Sequence, residues 1–428
     1  MKAFTMRKRA SAMALGIALA TGAVVTTGAL GTATPAYAQK SPYSKKFREA
    51  YTPVDEVVKA GGYDINAIKP QLESLVAMAA NPDEKLAAGG LMYNAGLGAS
   101  NQTVQLAGME AMLESGKVAP ETAPRYNFIA FQLSTQLKQS AKARTYLQRA
   151  IDLNYTSENV TGTNLKLLMA EAYFDDNMFR EGLGVLRQAI DDTKAAAQPV
   201  DERWVRRGVA IGVTNKVTPE VYDYASMWVT DFPSQASWRD AINLTRNLNA
   251  GNFQAPEMLD LLRLSDKVGT LENKQDVIYY VEAADARRLP LEVKNVIEAA
   301  IAADAAVADD MYLSDQLQIA KQRIPDDRPS LPELAAEAQA ATTDTKIVMA
   351  AGDTFYSYGD YVKAEQFYAK ALNMPNVEKQ VALTRLGIAQ VELGKFAEAQ
   401  ATFDKVEGVR APIANLWGAY AARQAAGG

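Results

Sequence analysis

The chain has 428 residues, 48% of them apolar and 22% charged, a composition that fits a folded protein with material for more than one core and excludes intrinsic disorder. It contains no histidine and no cysteine. That excludes Ser-His and Cys-His catalysis, most zinc sites and any disulfide framework, so the fold rests on packing alone.

At the start, Lys2, Arg7, Lys8 and Arg9 precede an uncharged apolar stretch, Ala10 to Val25, and Ala36-Tyr37-Ala38 supplies a small-x-small cleavage site. Residues 1–38 therefore read as a signal peptide. The apolar core is shorter and more diluted with Gly and Thr than the roughly 20 consecutive apolar residues of a membrane span. No second long apolar stretch follows Gln39, so no integral membrane segment is expected after cleavage, and the expected location is the periplasm of a Gram-negative bacterium. Cleavage would remove four basic residues and no acidic ones, taking the formal charge from -5 to -9. An acidic chain without a Lys/Arg block repels phosphate backbones and anionic lipid, which makes nucleic acid an excluded partner.

"SKKFREAYTPVDEVVKAG", "IKPQLESLVAMAANPDEKLAAGGLMYNAGLG" and "QTVQLAGMEAMLESG" carry apolar residues at helical period and read as paired helices. Within them "GGLMYNAG", Gly89 to Gly96, resembles a short segment of lytic transglycosylases. The Glu-Ser that should precede it is absent and Glu114-Ser115 comes after it, so the segment reads as a packed helix with no catalytic residue.

Nearer the C-terminus "AGDTFYSYGDYVKAEQFY" (351–368) and "LGIAQVELGKFAEAQATF" (386–403) superimpose at a shift of 35 residues, pairing Gly352 with Gly387, Gly359 with Gly394, Ala364 with Ala399 and Tyr368 with Phe403. A glycine inside a helix costs about 1 kcal/mol against alanine, so the first pair predicts a close helix contact. The second pair predicts a left-handed helix end. The alanines and the ring lie on one stripe of the following helix. Weaker copies are Ala143, Leu147 and Ala150; then Ala170, Tyr173, Gly182, Leu186 and Ala189, with Asn177 in the turn; then Trp204, Gly208 and Tyr224, with Glu220 where a small residue is expected. Gln254 to Ala286 and Leu291 to Ala303 continue the helical period, and "RIPDDRPSLPEL" (323–334) is dense in proline.

This set of positions resembles the tetratricopeptide repeat, in an exported bacterial form. The resemblance implies an all-α, right-handed solenoid of stacked antiparallel helix hairpins. Its expected organisation is an array over 39–322, clearest at 124–157, 163–196 and 201–234, a proline-rich joint and helix at 323–342, and a C-terminal pair of repeats with a capping helix at 343–428. It also implies a concave face lined by the first helix of each hairpin: Phe128, Gln132 and Thr135; Leu167, Glu171 and Phe174; Met349, Asp353 and Tyr356; Thr384, Ile388 and Val391. The family's carboxylate clamp needs Lys, Arg and Asn at such places, so a C-terminal carboxylate is not the expected ligand.

The acidic stretches "FDDNMFREG" and "DAAVADDMYLSD" lack the alternating oxygen ligands, turn glycine and closing glutamate of a calcium loop, and neither metal nor cofactor is expected. The expected function is a non-enzymatic adaptor that holds a peptide or protein of the cell envelope. The alternative is a carboxylate-dependent envelope hydrolase, acting on sugar or peptidoglycan, on a helical superhelix. N-terminal sequencing of the exported protein should read from Gln39; a mature chain retaining the stretch from Ala10 to Val25 would mean an anchor instead.

Overall fold

The structure, a computed structural model, describes residues 42–427, so the signal-peptide reading and its cleavage site lie outside the described residues. Among the described residues every regular element is a helix, apart from one Ser157–Val160 bridge that closes a turn. The chain divides into two compact units, the first ending at Met178 and the second running from Phe179. The division falls inside the segment 163–196 that the sequence reads as one repeat.

The first unit holds α1 (Lys45–Ala60), α2 (Ile65–Met78), α3 (Pro82–Gly98), α4 (Gln102–Glu114), α5 (Ala123–Gln136), α6 (Ser140–Asp152) and α7 (Gly162–Asp175). Consecutive helices pack as hairpins, tightest for α3 with α4 and α5 with α6. The glycines of "GGLMYNAG" serve that contact. A Cβ on Gly89 would stand 2.7 Å from the Met112 backbone nitrogen, and one on Gly96 would stand 2.6 Å from that of Gln105. The start of α1 is tied down by Glu84, which is fully buried and accepts from the backbone nitrogens of Ser44 at 2.6 Å and Ala80 at 2.7 Å. Burial alone would raise its pKa; these hydrogen bonds outweigh it and hold the carboxyl below its ordinary range.

The second unit holds α8 (Phe179–Ala195), α9 (Glu202–Asn215), α10 (Glu220–Asp231), α11 (Gln235–Leu248), α12 (Ala255–Lys267), α13 (Lys274–Ala284), α14 (Pro290–Ala303), α15 (Met311–Ala340), α16 (Thr345–Ser357), α17 (Tyr361–Ala371), α18 (Lys379–Glu392), α19 (Phe396–Phe403) and α20 (Ala411–Ala425). The repeat signature appears here as one steric device used in three hairpins. A Cβ on Gly352 would fall 2.6 Å from the Tyr368 ring and one on Gly387 2.5 Å from the Phe403 ring, and Gly208 lies in the same way beneath Tyr224. The ring stands sixteen residues after its glycine in each case. That spacing settles the register of α10 that Glu220 obscured. Glu220 occupies the small-residue place at the first position of α10 and reaches outward to Arg180. The turn glycines Gly359 and Gly394 have φ of 78° and 71°, and Asn177 adopts the same left-handed conformation at 59°.

Two features of this unit depart from the sequence reading. The proline-rich segment is not a break: α15 runs unbroken through Pro325, Pro329 and Pro332. Their spacing places all three on one exposed face, where water can take the carbonyls of Lys321, Pro325 and Arg328 that the prolines cannot serve. The opposite face buries Leu313, Ala320 and Ala338 and packs along α14 and α16. Nor are the C-terminal repeats a separate pair. Helix α20 packs on α10, α11 and α12 as well as on α19, and α12 touches α18. One core therefore contains Trp238, Leu261, Ile388, Phe403 and Trp417.

Replacing Gly387 with Leu should destabilise this unit by roughly 1–3 kcal/mol, because the added side chain overpacks the Phe403 ring, which itself stacks on the buried Trp417 at 6.5 Å. Hydrogen exchange should rise from α16 to α20 and also in α10 to α12, and much less around Met169. A rise confined to α18 and α19 would show that α20 does not couple the two ends of the unit.

Candidate functional site

Helix α12 has the sequence APEMLDLLRLSDK, in which Glu257, Asp260 and Arg263 recur every third residue among Leu259, Leu261, Leu262 and Leu264. The leucines are buried at 0–1% exposure, and the charged residues go in with them: Asp260 at 0%, Arg263 at 4% and Glu257 at 9%. Buried charge requires partners. These come from α14, α16, α18 and the turn before α20.

Asp260 is the centre. It accepts from Arg263 Nη1 at 3.0 Å, from Arg385 Nε at 3.4 Å, and from Arg410 Nη2. Arg410 also donates to Glu257 at 2.6 Å and to the Thr384 hydroxyl at 3.1 Å. Arg263 grips Glu292 through two nitrogens at 2.7 and 2.8 Å, whereas Arg385 reaches both Asp353 oxygens through its one nitrogen Nη1, at 2.8 and 2.7 Å. The Tyr280 and Tyr368 hydroxyls donate to Glu292 at 2.7 Å and Asp353 at 2.8 Å. The Trp417 indole donates to the Asp260 carbonyl at 2.8 Å. Toward the surface, the Arg263 guanidinium lies 4.3 Å from the centre of the Tyr356 ring, and Lys267 pairs with Glu392 at 2.7 Å.

Burial would raise the Asp260 pKa, but Arg385, Arg410 and Arg263 together outweigh it and hold the carboxyl below its usual range. Burial first, and the facing carboxylates next, keep the Tyr280 and Tyr368 phenols protonated as donors. Asp260 therefore stays ionised near neutral pH, with the Tyr280 and Tyr368 phenols protonated on the carboxylates that flank it. Each of the cluster's carboxylates is paired with a guanidinium, and the arrangement is that of a clasp.

The twelve concave-face positions divide sharply. In the C-terminal repeats Thr384, Ile388 and Val391 are buried at 0–3%, Asp353 belongs to the clasp, and Met349 and Tyr356 are half-buried. On α18 the inner positions are closed to solvent, with α12 and α20 of the same chain packed on that helix, so Thr384, Ile388 and Val391 do not line an open groove. In the first unit Phe128, Leu167 and Phe174 are buried as well, Phe128 stacking on Tyr155 at 4.7 Å. Gln132 and Glu171 are half-buried there, and Thr135 is exposed.

The acidic stretches have structural tasks. Asp176 pairs with Arg144 in the turn after α7, and Asp310 caps α15 through the Leu313 nitrogen while pairing with Lys274. Among the described residues no group of three or more Asp or Glu side chains is placed to hold a metal ion, and no helix is long and apolar enough to cross a membrane.

No family model matches the chain, and no curated protein matches it. Among solved structures it is similar to one described as the structure of Naa15/Naa10 bound to HypK-THB, at 13% identity and a TM-score of 0.28, over 87% of this chain and 68% of that one. So low a score adds nothing to the fold, which rests on the helix hairpins themselves.

Two outcomes check the clasp. Because Asp260 has a lowered folded pKa, the stability it contributes is complete above its unfolded value near pH 4 and is lost as pH falls through the folded value. Thermal midpoints should fall below about pH 4, and Asp260→Asn should flatten that dependence; an unchanged slope would remove Asp260 from the account. The double variant Tyr356→Ala, Val391→Ala should lose about 3 kcal/mol or more in denaturant unfolding, as truncation in a core does. Native stability would mean that the two residues face solvent.

Proposed function

We propose that this protein is an exported, periplasmic helical-repeat scaffold of tetratricopeptide type that binds a protein or peptide of the cell envelope and catalyses no reaction. The observation that carries the reading is the glycine-and-ring device repeated at Gly208, Gly352 and Gly387, which makes the helix hairpins of a stacked repeat. The basic-then-apolar start and the Ala36-Tyr37-Ala38 site support export. The binding face is assigned to the first helices of the first unit, where Gln132, Thr135 and Glu171 reach the surface, and not to the C-terminal repeats, whose inner face is filled from within.

The hydrolase alternative finds no such support. Glu257, Asp260, Glu292 and Asp353 are the carboxylates of the cluster around α12, and an arginine pairs with each of them. A glycosidase needs one carboxyl free to be an acid and another free to attack or to activate water.

The test is photo-crosslinking in intact cells with a photoreactive residue in place of Gln132 or Thr135, against a control at exposed Gln148 on α6. The expected result is a discrete protein adduct from the α5 positions and none from the control. Equal labelling at all three positions, or at none, would overturn the assigned face.

A further inference from the structure

We draw no further inference here: the strongest candidate, the apolar groove between α1 and α2 lined by Pro53, Val57, Pro70 and Met78, is an unpartnered face at the first hairpin, and nothing in the structure shows what covers it.

Discussion

Asp260 lies under three guanidinium groups with no access to water, and the second unit is organised around that arrangement. The partners come from far apart in sequence: Arg385 is 125 residues away and Arg410 is 150. Joining them closes the central helices onto the C-terminal repeats. A buried ion pair is weak evidence of stability, since apolar residues of similar volume often do as well or better. Its effect is on geometry. A leucine-rich α12 could rotate or slide against α18 and α20 with little loss of apolar contact, whereas the two-nitrogen grip of Arg263 on Glu292 and the convergence of Arg385 and Arg410 on Asp260 hold in one arrangement only. Misplacing α12 by one turn would leave a charge buried alone, an error costing several kcal/mol.

The repeats supply the stiffness that this clasp needs. Gly208, Gly352 and Gly387 let a ring lie against the backbone of the preceding helix, so each hairpin behaves as one body. Arg385 stands two residues before Gly387 on α18, and Asp353 follows Gly352 on α16. The tightest helix contacts in the C-terminal repeats are therefore next to the charged groups that those repeats must aim. The outer wall is made differently. Helix α15 keeps three prolines on its wet face and a sparse apolar stripe on the other, which lets a long helix follow the core with no joint.

Much of this was legible in the sequence, for local reasons. Glycine at a close approach, glycine at a left-handed turn and an alanine-and-ring stripe are demands of a single hairpin, so a repeat spacing exposes them. The closure was not legible, because it depends on pairing across 150 residues, which no periodicity encodes. A sign of it was present all the same. Charges every third residue inside the leucine run of α12, and Arg385 alone within "VALTRLGIAQV", are what a helix buried on all sides shows when its polar groups meet each other. The prolines of α15 misled for a complementary reason: all three fall on one wet face, where water can serve the freed carbonyls and no packed neighbour is displaced.

The residues at the C-terminal inner face show why family position alone does not assign a binding site. An open array presents its first helices to solvent or a partner, and those places then carry polar or charged groups suited to the ligand. Here they are Asp353, Thr384, Ile388 and Val391, an acid bound to an internal arginine among residues of a sealed core. The same positions in α5 and α7 include Gln132, Thr135 and Glu171, which reach solvent. One repeat pattern thus meets two surroundings: in the C-terminal hairpins the inner positions are buried against the chain itself, whereas in α5 and α7 Gln132 and Glu171 are half-buried and Thr135 is exposed. The distinction follows from burial and charge pairing, and it moves the search for a partner away from the best-conforming repeats toward the weaker ones.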